Sequence, residues 1–178
     1  MPVEYVLLVN KNDQPLGTME KMAAHEKGVL HRAFSVFIFN SRGEMMLQKR
    51  ASEKYHSGGL WTNAVCSHPK AGEDVRLAAK RRMMEEMGFE CDISNAFSFI
   101  YKSYVGDGLT EHEFDHVYIG YSDNEPNPNP EEVEDWKYAD MNWLVKDVEE
   151  YPENYTVWFV IALKELLRQT EVQGKVIN

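Results

Sequence analysis

The segment between residues 73 and 87 changes the period of the chain, and that change limits what the chain can fold into. Val75, Ala79 and Met83 fall on one stripe at helical spacing, Ala78 and Met87 lie beside it, and Gly88 follows as a stop. Strand-like runs stand on both sides. Residues 3–9 read as a strand, and residues 10–13 as a turn before Pro15-Leu16-Gly17. Residues 19–25 carry a weak helical signal. Residues 30–40 and 44–49 read as a hairpin closed by Asn40-Ser41-Arg42-Gly43, and a polar loop over residues 51–60 leads into a strand at 61–65. Downstream, residues 89–91, 97–104, 110–121 and 133–138 read as strands, with Gly106-Asp107-Gly108 turning the second into the third. Three prolines between Asp123 and Glu132 mark a solvent-exposed loop. Asp140 caps a short helix through Trp143 and Val148, and residues 155–168 form a terminal helix. Strands, a central helix, more strands and then helices predict an α+β or layered α/β domain with a mixed sheet, not a regular βαβ series.

A length of 178 residues makes one domain the default, and a net charge of −10 excludes a general affinity for nucleic acid or anionic lipid. It leaves room for a small anionic ligand held by a local basic cluster. Cys66 and Cys91 are too few for a disulfide framework and read as thiols in a reducing compartment. The first residues lack a basic-then-apolar leader, and no apolar run nears the roughly 20 residues that span a bilayer. A soluble, cytoplasmic protein is expected. It is expected to be a monomer, since no heptad or repeated apolar seam asks for a partner.

Chemistry concentrates in Trp61-Thr62-Asn63-Ala64-Val65-Cys66-Ser67-His68-Pro69. Cys66 and His68 at that spacing can ligate one metal, form a nucleophile–base pair, or face two neighbouring sites. Glu111 and Glu113 point to one face of their strand and can put two carboxylates on one ion. His31 begins the first hairpin strand, His25 is placed in the loop before it, and His68 follows the central strand. Together these five make a candidate site for a divalent cation, with imidazole favouring zinc, manganese or iron over magnesium. His112 and His116 fall on the other strand face, as surface or packing residues. Glu85 and Glu86 oppose the helix dipole, so they either hold a second cation or form a solvated pair beside Arg81 and Arg82, and the residues alone favour the solvated pair. Lys21, Lys49, Arg50, Lys54, Arg81 and Arg82 suit a phosphorylated ligand if they converge, and a solvated face if they do not. Trp61, Tyr101, Tyr104 and Trp158 are core aromatics or faces for a substrate cation. Cys91, in an apolar strand setting, reads as buried and inert.

Taken with Glu111-His112-Glu113, His25 and His31, the stretch from Trp61 to Pro69 resembles the type I isopentenyl-diphosphate isomerases, a branch of the Nudix fold. The resemblance runs from Val6-Leu7-Leu8 to the helix holding Trp158. It implies a Nudix-like α/β/α layered fold with mixed sheet, as a single domain over residues 1–178. The helix resembles a degenerate Nudix box: Glu73, Arg81, Glu85, Glu86 and Gly88 stand in register. Ser67 replaces its opening glycine, and Arg82 replaces an acidic residue that hydrolytic members need. The resemblance further implies that His25, His31, His68, Glu111 and Glu113 hold one divalent metal, Mn2+, Zn2+ or Mg2+. Glu86 then helps hold a Mg2+ that arrives with the diphosphate, Lys21, Arg50, Lys54 and Arg82 contact that diphosphate, and Trp158 lines the hydrocarbon pocket. Cys66 on one side and Glu113 with Tyr101 on the other are the implied proton-transfer groups. A cysteine suits the role because its ordinary pKa lies within a few units of neutrality. Two other functions compete: a Nudix-type hydrolase of a nucleoside or isoprenoid diphosphate, and a catalytically silent metal-binding domain that works through protein contacts.

Overall fold

The computed structural model describes residues 2–172. β3 (His31–Phe39) and β4 (Met45–Arg50) follow one another through the expected turn, where Asn40 Oδ1 accepts the N–H groups of Arg42 and Glu44. The two strands pair only at Phe39 and Met45, next to that turn. Beyond it they part. β3 runs parallel to β8 (Leu109–Tyr121) along its whole length, while β4 pairs antiparallel with β9 (Val133–Ala139).

The expected strand over residues 61–65 is in fact two short ones that serve both halves of this fork. β5 (Trp61–Asn63) pairs with β4, β6 (Val65–Ser67) pairs with β3, and the chain crosses between them at the fully buried Ala64. One continuous strand cannot follow two diverging partners. Side-chain amides complete the hydrogen bonding at the crossing. Asn63 Nδ2 donates to the carbonyls of Val36 at 2.9 Å and Val65 at 3.0 Å, and Gln48 Nε2 donates to Ala64 O at 2.6 Å.

The remaining elements hang on this frame. β1 (Tyr5–Val9) and β2 (Pro15–Glu20) form a hairpin at the edge of the nine-stranded sheet. From its sequence the second of these is only a turn exit, because most of its side chains face water and give no alternation. α1 (Lys21–Lys27) is real and capped, with the Glu20 carboxylate accepting from Met22 N and Ala23 N and Gly28 left-handed at its end. His25 therefore sits on a helix, not in a loop. α2 (Val75–Met87) begins at the Asp74 cap and ends at Gly88. Residues 89–91 are not a strand: β7 (Ile93–Gly106) starts later, and Phe89 drops into the core instead. The proline-rich loop is not simply solvated either. Asn127 N and Asn129 N donate to the carbonyls of Met87 and Glu86, satisfying the end of α2. α3 (Met141–Glu150) starts at the Asp140 cap, and a 3₁₀ turn at Pro152–Asn154 leads to α4 (Val157–Val172).

β3 is buried along its length because helices cover both faces of the sheet. Phe34, Val36 and Ile38 meet Ala78, Ala79, Met83 and Met87 of α2. Phe37 and Phe39 meet Leu144 of α3 and Phe159, Leu163 and Leu166 of α4. The result is an α/β/α layered fold with a mixed sheet, as expected. Asn63→Leu keeps bulk at the crossing but removes both donors. Since an unmet buried polar group costs about 1–3 kcal/mol, equilibrium urea unfolding should report a loss of roughly 2–6 kcal/mol for the two carbonyls.

Candidate active site

Five side chains from four parts of the chain meet at one end of β3. His25 comes from α1, His31 opens β3, His68 follows β6, and Glu111 and Glu113 share a face of β8; their nearest donor atoms all lie within 4.8 Å of one another. The parallel register sets His31 directly beside Glu113. His25 Nδ1 donates to Lys21 O at 2.6 Å and His31 Nδ1 donates to Val29 O at 2.9 Å, which leaves both Nε2 atoms as inward-facing lone pairs. His31 Nε2 lies 3.3 Å from His68 Nε2, and His68 Nε2 lies 3.1 Å from Glu113 Oε1. His25 Nε2 and Glu111 Oε2 stand 3.3 Å apart, yet both are buried and neither makes a hydrogen bond. Five ligating atoms that converge, with His25 Nε2 and Glu111 Oε2 left unpaired, are what a cation resolves, so these residues fit a divalent ion.

Electrostatics follow from that crowding. Burial, with the nearby charge of His31, drives His68 well below the ordinary histidine value. Burial also lowers His25, but Glu111 outweighs it and leaves His25 raised. Glu111 is pushed up by burial and by the Glu113 charge. Glu113 resists burial and is held below the usual carboxylate range, chiefly by His31.

Next to the ligands, Tyr101 Oη donates to Glu113 Oε2 at 2.9 Å. The Cys66 thiol donates to Asn63 Oδ1 at 2.9 Å and lies 3.6 Å from Ser35 Oγ. Burial and the Asp115 charge push this thiol far above its ordinary value, so it is not poised near neutrality as its residue type alone predicts. Cys66, Tyr101 and Glu113 line one pocket, whose wall also holds Lys21, Arg50, Lys54, Arg82 and Trp158.

Residues 29–159 match the NUDIX domain family. Isopentenyl-diphosphate Delta-isomerase 2 of Aromatoleum aromaticum is 47% identical over 171 residues, which is 96% of this chain and 90% of that protein. The chain belongs to the isopentenyl-diphosphate Delta-isomerase family. Isopentenyl-diphosphate Delta-isomerase 2 of Photorhabdus laumondii is 49% identical over 156 residues, 88% of each chain. The crystal structure of DR0079 from Deinococcus radiodurans superposes with a TM-score of 0.74 at 22% identity, covering 93% of this chain and 98% of that one, and shows the shared fold.

In this isomerase the remaining sequence-level candidates divide. Lys49 pairs with Glu134, and Arg81 with Glu73 and Glu85, so neither joins the pocket cluster. The cations that do face it carry carboxylate partners: Lys21 with Glu4, Lys54 with Glu132, and Arg82 with Glu86. Arg50 lies over the Trp158 ring, 5.1 Å from its centroid. Glu85 and Glu86 are not a solvated pair. Glu85 is exposed, but Glu86 is only 5% exposed and accepts from both Gln48 and Arg82. Tyr104 is exposed on the sheet surface, and Trp61 stacks under Lys137, 4.3 Å away. Cys91 is half-buried and outside any strand. His112 Nδ1 donates to Gly28 O, and His116 pairs with Asp13, as packing residues do.

Two residues escaped the sequence reading. Asp115 continues the alternation of Glu111 and Glu113, is 1% exposed, and accepts a 2.7 Å hydrogen bond from Ser35. The same period-2 rule points to it. His56 lies in the polar loop and has no periodic signal, yet it is 7% exposed and burial pushes it down to about 4.

A bound ion stabilises only the folded state, by about 2.7 kcal/mol at a hundredfold excess over its Kd. For a chain of 178 residues this corresponds to a rise in Tm of about 5–11 °C. Adding Mn2+ to chelator-stripped protein should produce that rise, and His31→Asn should abolish it, whereas His112→Ala should keep it.

Proposed function

We infer that this protein interconverts isopentenyl diphosphate and dimethylallyl diphosphate by metal-assisted protonation and deprotonation through a tertiary carbocation. The observation that supports this mechanism, with Cys66 and the Tyr101–Glu113 pair as its proton-transfer groups, is that they converge on one pocket walled by cations and Trp158. Moving a double bond along a branched five-carbon chain requires a proton added at one carbon and another removed nearby. The enzyme gains and loses one proton per turnover. Cys66 and Glu113 exchange acid and base roles when the direction of reaction reverses, and each needs the substrate between them.

The chain's own residues do the rest. Tyr101 orients the Glu113 carboxylate through its 2.9 Å hydrogen bond, and Asn63 aims the Cys66 thiol. Lys21, Arg50, Lys54 and Arg82 bind the diphosphate and so place the reacting carbons, while Trp158 lines the hydrocarbon end and offers its ring to developing positive charge. His25, His31, His68, Glu111 and Glu113 would hold a divalent ion, and its charge, when bound, would fix Glu113 and tune its basicity. The imidazole-rich donor set favours Mn2+ or Zn2+ over Mg2+ there. Glu86 is assigned to a Mg2+ that accompanies the diphosphate.

A hydrolase reading loses support at α2. Arg82 stands where hydrolytic Nudix members need an acid, so a cation occupies that place beside Glu86. The reading further takes the chain as one domain, working as a monomer in the cytoplasm. No helix among the described residues is long and apolar enough to cross a membrane. Small-molecule diphosphate, not nucleic acid, is the expected partner.

Proton NMR in deuterated water, with isopentenyl diphosphate and Mg2+, should show deuterated dimethylallyl diphosphate and no phosphate release. Free phosphate or pyrophosphate would instead sustain the hydrolase. Cys66→Ala should lower turnover by about 10²–10⁴-fold, the range for a lost acid–base group, with metal content unchanged by elemental analysis. Glu113→Gln should lose activity and metal together.

A further inference from the structure

We infer that His56 is a positioning residue of the metal centre, holding Glu111 through the carboxylate oxygen that His25 does not face and bracing Trp158. This rests on the isomerase reading for its catalytic consequence, though not for its effect on metal binding. His56 Nε2 lies 3.5 Å from Glu111 Oε1, whereas His25 Nε2 faces Glu111 Oε2. Each imidazole thus addresses a different oxygen. The His56 Nε2 atom is buried and has no hydrogen-bond partner, while Nδ1 is 3.3 Å from Ser57 Oγ, so Nε2 is the nitrogen free to donate. Its ring meets Trp158 edge-on, with centroids 5.5 Å apart at 80°. The carbonyl of the same residue accepts from Arg50 Nη2 at 3.2 Å, and Arg50 lies over the same indole.

The loop that carries His56 is built to keep it inside. Arg50 N donates to Leu60 O and Gly59 N donates to Arg50 O, closing the ends of residues 50–60 into a compact loop. Ser57 is left-handed at φ 54°, and a Cβ on Gly58 would fall 2.4 Å from Ser52 O. A mostly polar loop is therefore closed tightly around one buried imidazole. Hydrogen-bond partners of metal ligands fix ligand orientation, and losing one typically weakens metal binding or activity about 10–100-fold.

Two full-chain variants separate the donor from the bulk. Glutamine places an N–H at the reach of Nε2, and methionine matches its length without a donor. Electron paramagnetic resonance of free Mn2+ during titration reads affinity independently of turnover, and steady-state kinetics read kcat and KM. His56→Met should weaken Mn2+ binding about 10–100-fold and lower kcat more than it raises KM. His56→Gln should recover Mn2+ binding to within about fivefold of the parent, inside that same range. Parent-like Mn2+ affinity in His56→Met, or a folded His56→Gln as weak as His56→Met, overturns the role. Should His56→Met fail to fold by circular dichroism, His56→Gln decides alone: retained affinity supports the donor and lost affinity overturns it. A parent that isomerises substrate but binds no Mn2+ overturns this role and leaves the isomerase standing. Tight Mn2+ binding with His56 dependence, but no isomerisation, does the reverse.

Discussion

The parting of β3 from β4 just past their turn is the constraint on which the rest of the molecule depends. A hairpin that stayed zipped would fill the inner edges of both strands with each other, leaving β8 and β9 their outer edges but no place for β6 beside β3 or for β5 beside β4. By opening, it accepts two strands on either arm, and the short pieces β5 and β6 stitch the gap. The backbone groups stranded at the stitch are satisfied by Asn63 and Gln48, and both amides also reach into the site. Asn63 takes the Cys66 S–H, and Gln48 holds Glu86. The elements that close the fold therefore also hold Cys66 and Glu86 in place at the pocket.

Burial around that stitch also explains the electrostatics. Glu111, Glu113 and Asp115 project from one face of β8 into a region with little water. Three carboxyl groups so close cannot all ionise cheaply, and Asp115 is driven well above its ordinary value by burial and by Glu113. Histidines on one side and Tyr101 on the other hold Glu113 charged. The strand thus sorts three like groups into different states by their neighbours alone.

The sequence made the central helix and the carboxylate pair legible because both rest on local periodicity. Alternation put Glu111 and Glu113 together, and the 3.6 period drew α2. Where the outcome depends on partners distant in the chain, local pattern fails. The split of residues 61–67 is dictated by β3 and β4, the burial of Glu86 by Gln48, and the burial of His56 by a loop of polar residues. β2 was missed because its side chains are mostly exposed, and residues 89–91 were misread because a core-filling Phe89 mimics a strand residue. Of the six basic residues, Lys21, Arg50, Lys54 and Arg82 converge on the pocket, whereas Lys49 and Arg81 share their composition but not their direction.

The orientation of two metal-facing imidazoles is written in the main chain. His25 and His31 give their Nδ1 protons to the carbonyls of Lys21 and Val29. Every residue at those positions carries a carbonyl, so no change of side chain deletes either partner. The same cannot be said of the Cys66 thiol, whose acceptor is the side chain of Asn63. Over evolutionary drift the metal-binding half of this site is buffered and the thiol half is exposed to loss. A descendant that lost the Asn63 amide would therefore keep the aim of both imidazoles while its thiol lost the acceptor that holds it.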